Sequence, residues 1–168
     1  MMFDIRLNSK TEKVELVYPN GNCDILADNA PGEPVKSPNN KHAVYISPLE
    51  WEEQGTLYLV DLENGDQKIL VEPAGDWIPK NVLWQDDERV FVIIGYGHGT
   101  LSVGGNIFSV NVSTKEKLQI TQYESDIQIL DFKIEDGILY YNGIKYTDSN
   151  YEKSETYTNN ISLDSMLS

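Results

Sequence analysis

Residues 56–71 read Thr-Leu-Tyr-Leu-Val-Asp-Leu-Glu-Asn-Gly-Asp-Gln-Lys-Ile-Leu-Val, and this stretch decides the fold. Apolar side chains alternate with others through its first half, Asn64-Gly65 supplies a turn, and a second apolar run follows. Period-two alternation on either side of an Asn-Gly turn is the pattern of an antiparallel β-hairpin. We therefore predict strands on both sides of Asn64-Gly65.

The same hairpin pattern occurs three times in the chain. Its first copy is centred on Asn20-Gly21, 44 residues before Asn64-Gly65. In a third, looser copy, an alternating segment begins at Phe108, 50 residues after the equivalent segment at Tyr58. Repeats of this length, made of strands and tight turns, are typical of stacked or radially arranged β-units. We predict an all-β fold, an antiparallel propeller-like array of about four units with three or four strands each, in a closed ring or an open arc.

Both complete units can be divided into four strands. The second unit is predicted to have strands at 35–37, 43–47, 56–62 and 67–71, and the third at 82–84, 90–94, 106–112 and 117–121. The uninterrupted apolar run at 90–94 predicts a strand that is buried on both faces.

Incomplete units lie at the two ends of the chain. Residues 3–28 predict the last three strands of a unit, and residues 127–163 predict a first hairpin and one later strand. Two arrangements follow: four units in a row, or a ring in which the N-terminal strands complete the C-terminal unit. Residues 148–160 show little alternation and are predicted to form a mobile loop. We predict that residues 1–168 form a single repeat domain.

Two segments of the second unit resemble a known family. Residues 37–45 (Ser-Pro-Asn-Asn-Lys-His-Ala-Val-Tyr) and 57–65 (Leu-Tyr-Leu-Val-Asp-Leu-Glu-Asn-Gly) resemble the repeat unit of TolB-type β-propellers. The glycine-rich segment 99–106 is similar to a segment of small bacterial propeller-like domains of unknown function. The resemblance implies a propeller-like fold and a protein-binding role, with partners held by loops at one end of the ring.

The charge of the chain limits its partners. Its 13 Lys and Arg residues stand against 27 Asp and Glu residues, a formal net charge of −14, so a nucleic acid would be repelled. No apolar window reaches the roughly 18 residues of a membrane helix, and we expect no membrane insertion. Cys23 is the single cysteine, which excludes an internal disulfide. The sequence leaves two compartments open, the cytoplasm or, for a trimmed domain, an extracytoplasmic site, and it leaves the oligomeric state open.

The glycine-rich segment between Gly95 and Gly105 interrupts the repeat and is the best candidate for a binding loop. Its glycines permit positive φ and close backbone approach, which suits a contorted hairpin connection or an anion-binding nest. A phosphate-binding loop would need a helix directly after the glycines, whereas a strand is predicted there. We predict a binding site that contains Tyr96, His98 and Thr100 of this segment, and Trp51 of an earlier connection.

Patterns for catalysis or metal binding are weaker. Ser102 lies near His98 but lacks the leading glycine of a nucleophile elbow. His42 and His98 are the only histidines, too few for a histidine-rich zinc site. The oxygen-bearing residues at 61–66 do not have the spacing of an EF-hand calcium loop. We therefore expect no metal and no cofactor, and we assign no catalytic residue.

The leading functional hypothesis is a non-catalytic binding or scaffold module. Its binding surface is predicted in loops 49–55 and 96–105, and its partner is expected to be a protein, with carbohydrate as the other ligand class. Trp51 and Trp77 are candidates for exposure, whereas Trp84 is predicted in the core. The alternative is a carbohydrate-active hydrolase or lyase with paired carboxylates in an end-face cleft.

Overall fold

The strands form four antiparallel sheets that follow one another in chain order, with 3, 4, 4 and 3 strands. This is seen in a computed structural model that describes residues 2–50, 53–98 and 101–166. The predicted all-β class and the propeller-like units are therefore confirmed. No helix within the described residues is long and apolar enough to cross a bilayer.

Each sheet is built from consecutive strands. Sheet 1 contains β1 (Asp4–Asn8), β2 (Lys13–Val17) and β3 (Cys23–Ala27). Sheet 2 contains β4 (Val35–Lys36), β5 (His42–Ser47), β6 (Thr56–Asp61) and β7 (Gln67–Val71). Sheet 3 contains β8 (Trp77–Trp84), β9 (Arg89–Tyr96), β10 (Asn106–Asn111) and β11 (Lys117–Gln119). Sheet 4 contains β12 (Ile127–Glu135), β13 (Ile138–Tyr146) and β14 (Ser154–Ser162), and a short helix α1 (Leu163–Met166) follows it.

The core consists of three apolar layers, one between each pair of neighbouring sheets. Alternate residues of β5 supply two of them: Tyr45 packs with Leu16 of sheet 1, whereas Ile46 packs with Val92 of sheet 3. Strand β9 does the same, because Val92 faces sheet 2 and its neighbour Phe91 packs with sheet 4. Period-two alternation therefore puts both faces of these central strands in the core, as predicted for residues 90–94.

The sheets form an open row within the described part of the chain. Apolar layers join sheets 1 and 2, 2 and 3, and 3 and 4, and no described strand of sheet 1 pairs with sheet 4. The two end sheets carry charged pairs, Arg6 with the half-buried Glu15 and Lys133 with Glu135. Polar outer faces are typical of the terminal units of repeat proteins.

One predicted loop is largely a strand. Residues 148–160 were expected to be mobile, but β14 begins at Ser154 and pairs with β13 over nine residues. Most of its side chains are exposed on both faces, so no apolar alternation marks it in the sequence. Its Thr and Tyr residues nevertheless favour extended backbone.

Candidate functional site

The glycine-rich segment is a wide connection from β9 to β10. Its glycines let two backbones approach: Gly105 exchanges two hydrogen bonds with Ile129 of sheet 4, at 3.0 and 2.9 Å. A Cβ atom at Gly104 would overlap the carbonyl group of Ile129 in sheet 4, and one at Gly105 would overlap that of Ile94 within sheet 3. The glycines therefore permit the close approach of sheets 3 and 4. This agrees with the interpretation of the segment as a contorted hairpin connection.

A β-bulge in β8 places Lys80 beneath this connection. Pro79 pairs with Ile94 and Asn81 pairs with Ile93, so Lys80 is the extra residue between them. Bulges bend a strand and redirect a side chain out of the regular alternation.

Lys80 holds the glycine-rich connection through backbone oxygens. Its Nζ donates hydrogen bonds to the carbonyl oxygens of Tyr96 (2.6 Å), Ser102 (2.7 Å) and Gly104 (3.0 Å). Burial lowers the pKa of Lys80 to about 8, because the ammonium group loses hydration there. Backbone carbonyl oxygens therefore surround a cation here. An anion-binding nest, which the glycines also allowed, would instead direct backbone N–H groups at an anion.

A groove of 270 Å³ lies between the two loops in which the sequence predicted a binding surface. One wall comes from the β5–β6 connection and includes Leu49, Glu50 and Glu53. Other lining residues, such as Lys80 and Val103, come from β8 and from the glycine-rich connection. Because its walls come from different units, no single repeat could have indicated this groove.

Beside the groove, Trp77, Tyr96 and His98 form an exposed group that we call the aromatic corner. The ring of Tyr96 lies 6.1 Å from that of Trp77 and 5.5 Å from that of His98, both edge to face. His98 Nε2 lies 2.8 Å from the Asp76 carboxylate, so Asp76 orients the imidazole. Trp77 is 56% exposed and Tyr96 is 41% exposed, a large aromatic area left in contact with water.

The turn before β8, which the sequence did not mark as part of the site, contacts both of the predicted binding loops. Gln54 Nε2 donates to the carbonyl oxygen of Gly75 at 2.8 Å, and Gly97 N donates to that of Asp76 at 2.8 Å. Pro73, Gly75 and Asp76 are turn-forming residues, so the sequence does indicate a turn at this place. Their partners in both loops could not be read from that signal.

The structure describes two of the four predicted site residues. Tyr96 and His98 lie together in the aromatic corner, whereas Trp51 and Thr100 lie outside the described residues. Trp77 joins the predicted pair. Trp84 is buried, and its Nε1 donates to the carbonyl oxygen of Val35 at 2.8 Å, as expected for a core residue.

The other residues considered for catalysis or metal binding have structural roles. The hydroxyl of Ser102 makes no hydrogen bond with His98 within the described part of the chain, and its carbonyl oxygen binds Lys80. Asp61 Oδ1 accepts from Glu63 N and Asn64 Oδ1 accepts from Asp66 N, each at 2.8 Å, so these oxygens stabilise a turn. Residues 2–50, 53–98 and 101–166 contain no group of three potential metal ligands.

A family profile matches residues 44–163, more than half of the chain. The chain belongs to that family, described as a domain of unknown function (DUF4652). No curated protein sequence matches it.

Solved structures show the same fold at low sequence identity. A candidate conserved lipoprotein from Clostridium novyi NT is 21% identical, with a TM-score of 0.74 and 96% of each chain covered. TolB from Acinetobacter baumannii is 15% identical, with a TM-score of 0.51 over 94% of this chain and 38% of that one. The β-propeller domain of the trilobed protease from Pyrococcus furiosus, which has an open velcro topology, is 13% identical, with a TM-score of 0.50 over 95% of this chain and 52% of that one. The TolB-type resemblance is thereby confirmed for the fold.

Proposed function

We propose that this chain is a non-catalytic binding module that holds a segment of a partner protein against the aromatic corner and the neighbouring groove. The observation that carries the proposal is the exposure of apolar side chains around that groove. Trp77 and Tyr96 are exposed in the aromatic corner, and Leu49 and Val103 are exposed in the lining of the groove beside it. Clustered aromatic and aliphatic side chains on a rigid scaffold are the usual anchors of a protein interface.

The charge around the groove favours a partner segment that is not acidic. Glu50 and Glu53 line the groove and Asp76 contacts His98 of the aromatic corner, while the Lys80 ammonium already donates three hydrogen bonds to backbone oxygens. The net charge of −14 acts in the same direction at longer range. We therefore infer a segment with apolar anchors and neutral or basic flanks.

A carbohydrate-active hydrolase is less well supported. Such an enzyme needs two carboxyl groups on opposite sides of the scissile bond. The acids described in the groove, Glu50 and Glu53, come from the same loop, and none of its other described lining residues is acidic. This arrangement gives no described carboxylate pair across the groove.

The function is tested by affinity capture with matched surface variants. The full chain carrying Trp77→Ala and Tyr96→Ala is compared, in a lysate of the source organism, with wild type and with a control carrying Ile25→Ala and Leu118→Ala. The control residues are also exposed apolar side chains, but they lie in β3 and β11. We expect a protein captured by wild type and control to be lost with the aromatic-corner variant. Equal capture by all three would contradict the proposal.

We also propose an extracytoplasmic location. The support is the similarity in fold and length to the Clostridium novyi candidate lipoprotein, which is covered over 96% of its length. Protease treatment of intact cells tests this, since an extracytoplasmic module is digested while a cytoplasmic marker survives. Protection of both proteins would contradict the location.

A further inference from the structure

Strand β14 is an unusually regular edge. It pairs with β13 from Tyr146–Ser154 to Ile138–Ser162, nine successive pairs with no register shift. The last strand of each other sheet is interrupted or short: β3 and β7 are paired through register shifts, and β11 has three residues. Proteins commonly protect an edge strand by such irregularity or shortness, and β14 has neither protection.

Strand β14 is the third strand of its sheet, and in sheets 2 and 3 the third strand is followed by a fourth. In those sheets the third strand, β6 or β10, is covered by a fourth, β7 or β11. Sheet 4 ends at β14 within the described residues. The position next to β14 is therefore equivalent to the one that β7 occupies in sheet 2 and β11 occupies in sheet 3.

Hydrogen bonds at the two ends of β14 fix which backbone groups face outward. Leu163 N donates to Gly137 O and Thr147 N donates to Lys153 O, both at 2.9 Å. Because the direction of bonding alternates along an antiparallel strand, Thr156 and Thr158 direct their N–H and C=O groups away from β13. No described residue bonds these groups, whereas the outward N–H of the next such residue, Asn160, is bonded by the Asn159 side chain.

We propose that the outer edge of β14 binds an extended, non-acidic peptide segment of a partner protein, which adds to sheet 4 as a fourth strand. Backbone hydrogen bonds from Thr156 and Thr158 supply the affinity in this mode of recognition, and alternate side chains supply the selectivity. This site is separate from the aromatic corner and does not depend on the function proposed for it.

The chemistry of the segment follows from what surrounds the edge. On the face towards sheet 3, Tyr157 and Ile161 are half-buried and pack against the core cluster. In sheet 2 the fourth strand contributes Leu70 to the core at the comparable place, so alternate apolar residues suit the added strand. The edge itself has one charge, Glu155. A second copy of this chain would bring a further 27 acidic residues, so charge favours a different, non-acidic partner.

A tethered strand tests the proposal on the full chain. The sequence of β7, Gln-Lys-Ile-Leu-Val, is appended after the last residue through a flexible Gly/Ser linker of about ten residues. We expect hydrogen exchange of the Thr156 and Thr158 amides to slow at least tenfold relative to the unmodified chain. The matched control carries Gln-Pro-Ile-Pro-Val on the same linker and should leave both rates unchanged, because proline cannot donate to a strand ladder. Equal rates with the two tethers would overturn the proposal.

Two variants sharpen the result. In the tethered chain, Thr158→Pro removes an outward N–H and should abolish the slower exchange at Thr156, whereas Thr158→Ala keeps the N–H and the effect. If Thr158→Pro fails to fold, as shown by its far-ultraviolet circular dichroism, the two tethers alone decide. A Gln-Glu-Ile-Leu-Val tether should protect less than the lysine tether, and equal protection would overturn the charge preference. Exchange that slows in the unmodified chain as its concentration rises would identify a second copy as the occupant and overturn the proposal.

Discussion

The two ends of the sheets are built in different ways. At one end, which we call the turn end, short hairpin turns are stabilised by side chains two or three residues away, such as Asn111 Oδ1, which accepts from Ser113 N and Thr114 N. At the other, the loop end, the connections are held by Gln54, Lys80 and Gln128, which reach backbone oxygens 16 to 27 residues away. The turn end is thus specified locally. The loop end depends on the assembled fold, and it contains the exposed aromatic corner.

The largest contrast between the ends is expected from glycine substitutions. Gly105→Ala at the loop end places a Cβ against the Ile94 carbonyl, and relief would require the backbones to separate. We expect a loss of about 3 kcal/mol in the free energy of unfolding. Gly21→Ala at the turn end meets no atom within 4 Å and is strained only by its φ of 90°, so about 1 kcal/mol is expected. Equal losses in urea unfolding would show that the close approach at Gly105 is not a constraint.

Removing the Lys80 ammonium should weaken the loop end specifically. Lys80→Met keeps most of the aliphatic stem but leaves three carbonyl oxygens without their donor. We expect about 2 kcal/mol of destabilisation, with faster hydrogen exchange at the loop end. Exchange in the turn at residues 62–66 should be unchanged and serves as the internal control. An effect of equal size at both ends would count against a local role for Lys80.

The pH dependence of stability should report the same lysine. Burial lowers the pKa of Lys80 from its ordinary value of 10.5 to about 8. Between these values the folded chain has released a proton that the unfolded chain retains, so the free energy of unfolding rises with pH in this window. Wild type should therefore gain stability relative to Lys80→Met from about pH 8 to pH 10.5. A constant difference across this range would show that the ammonium is better hydrated than its position indicates.

The smallest effect on stability is expected in the aromatic corner. Replacing Tyr96 and His98 together by Ala removes two exposed side chains whose ring contacts are to each other and to Trp77. We expect the free energy of unfolding to change by less than about 0.5 kcal/mol. Trp84→Ala, which empties a buried site, is the control and should cost about 3 kcal/mol or more. A large loss from the double variant would mean that the corner is packed structure and not a surface for a partner.

The parts of the fold that could be predicted are those with local signals. Asn64-Gly65 is a turn because glycine accepts the positive φ, 82°, found there. The apolar run at 90–94 is a doubly buried strand because each of its faces meets another sheet. Strand β14 escaped prediction because exposure on both faces removes the alternation that marks other strands.

The site was predicted less completely, for a physical reason. Tyr96 and His98 were identified because glycines interrupt the repeat beside them. Asp76 precedes β8 and Trp77 is its first residue, and they reach that loop only when β8 pairs with β9. The contact of Lys80 with the same loop depends on a bulge, and bulges leave little trace in a sequence.

The layered interior has a consequence for how the molecule opens. The two middle sheets are clamped on both sides by apolar layers, while each terminal sheet is held through one. Nearest-neighbour coupling of this kind makes fraying begin at the extremities and travel inward. A strand docked on β14 would stabilise sheet 4. Because each sheet is coupled to its neighbour, the other sheets of the row would also open less often.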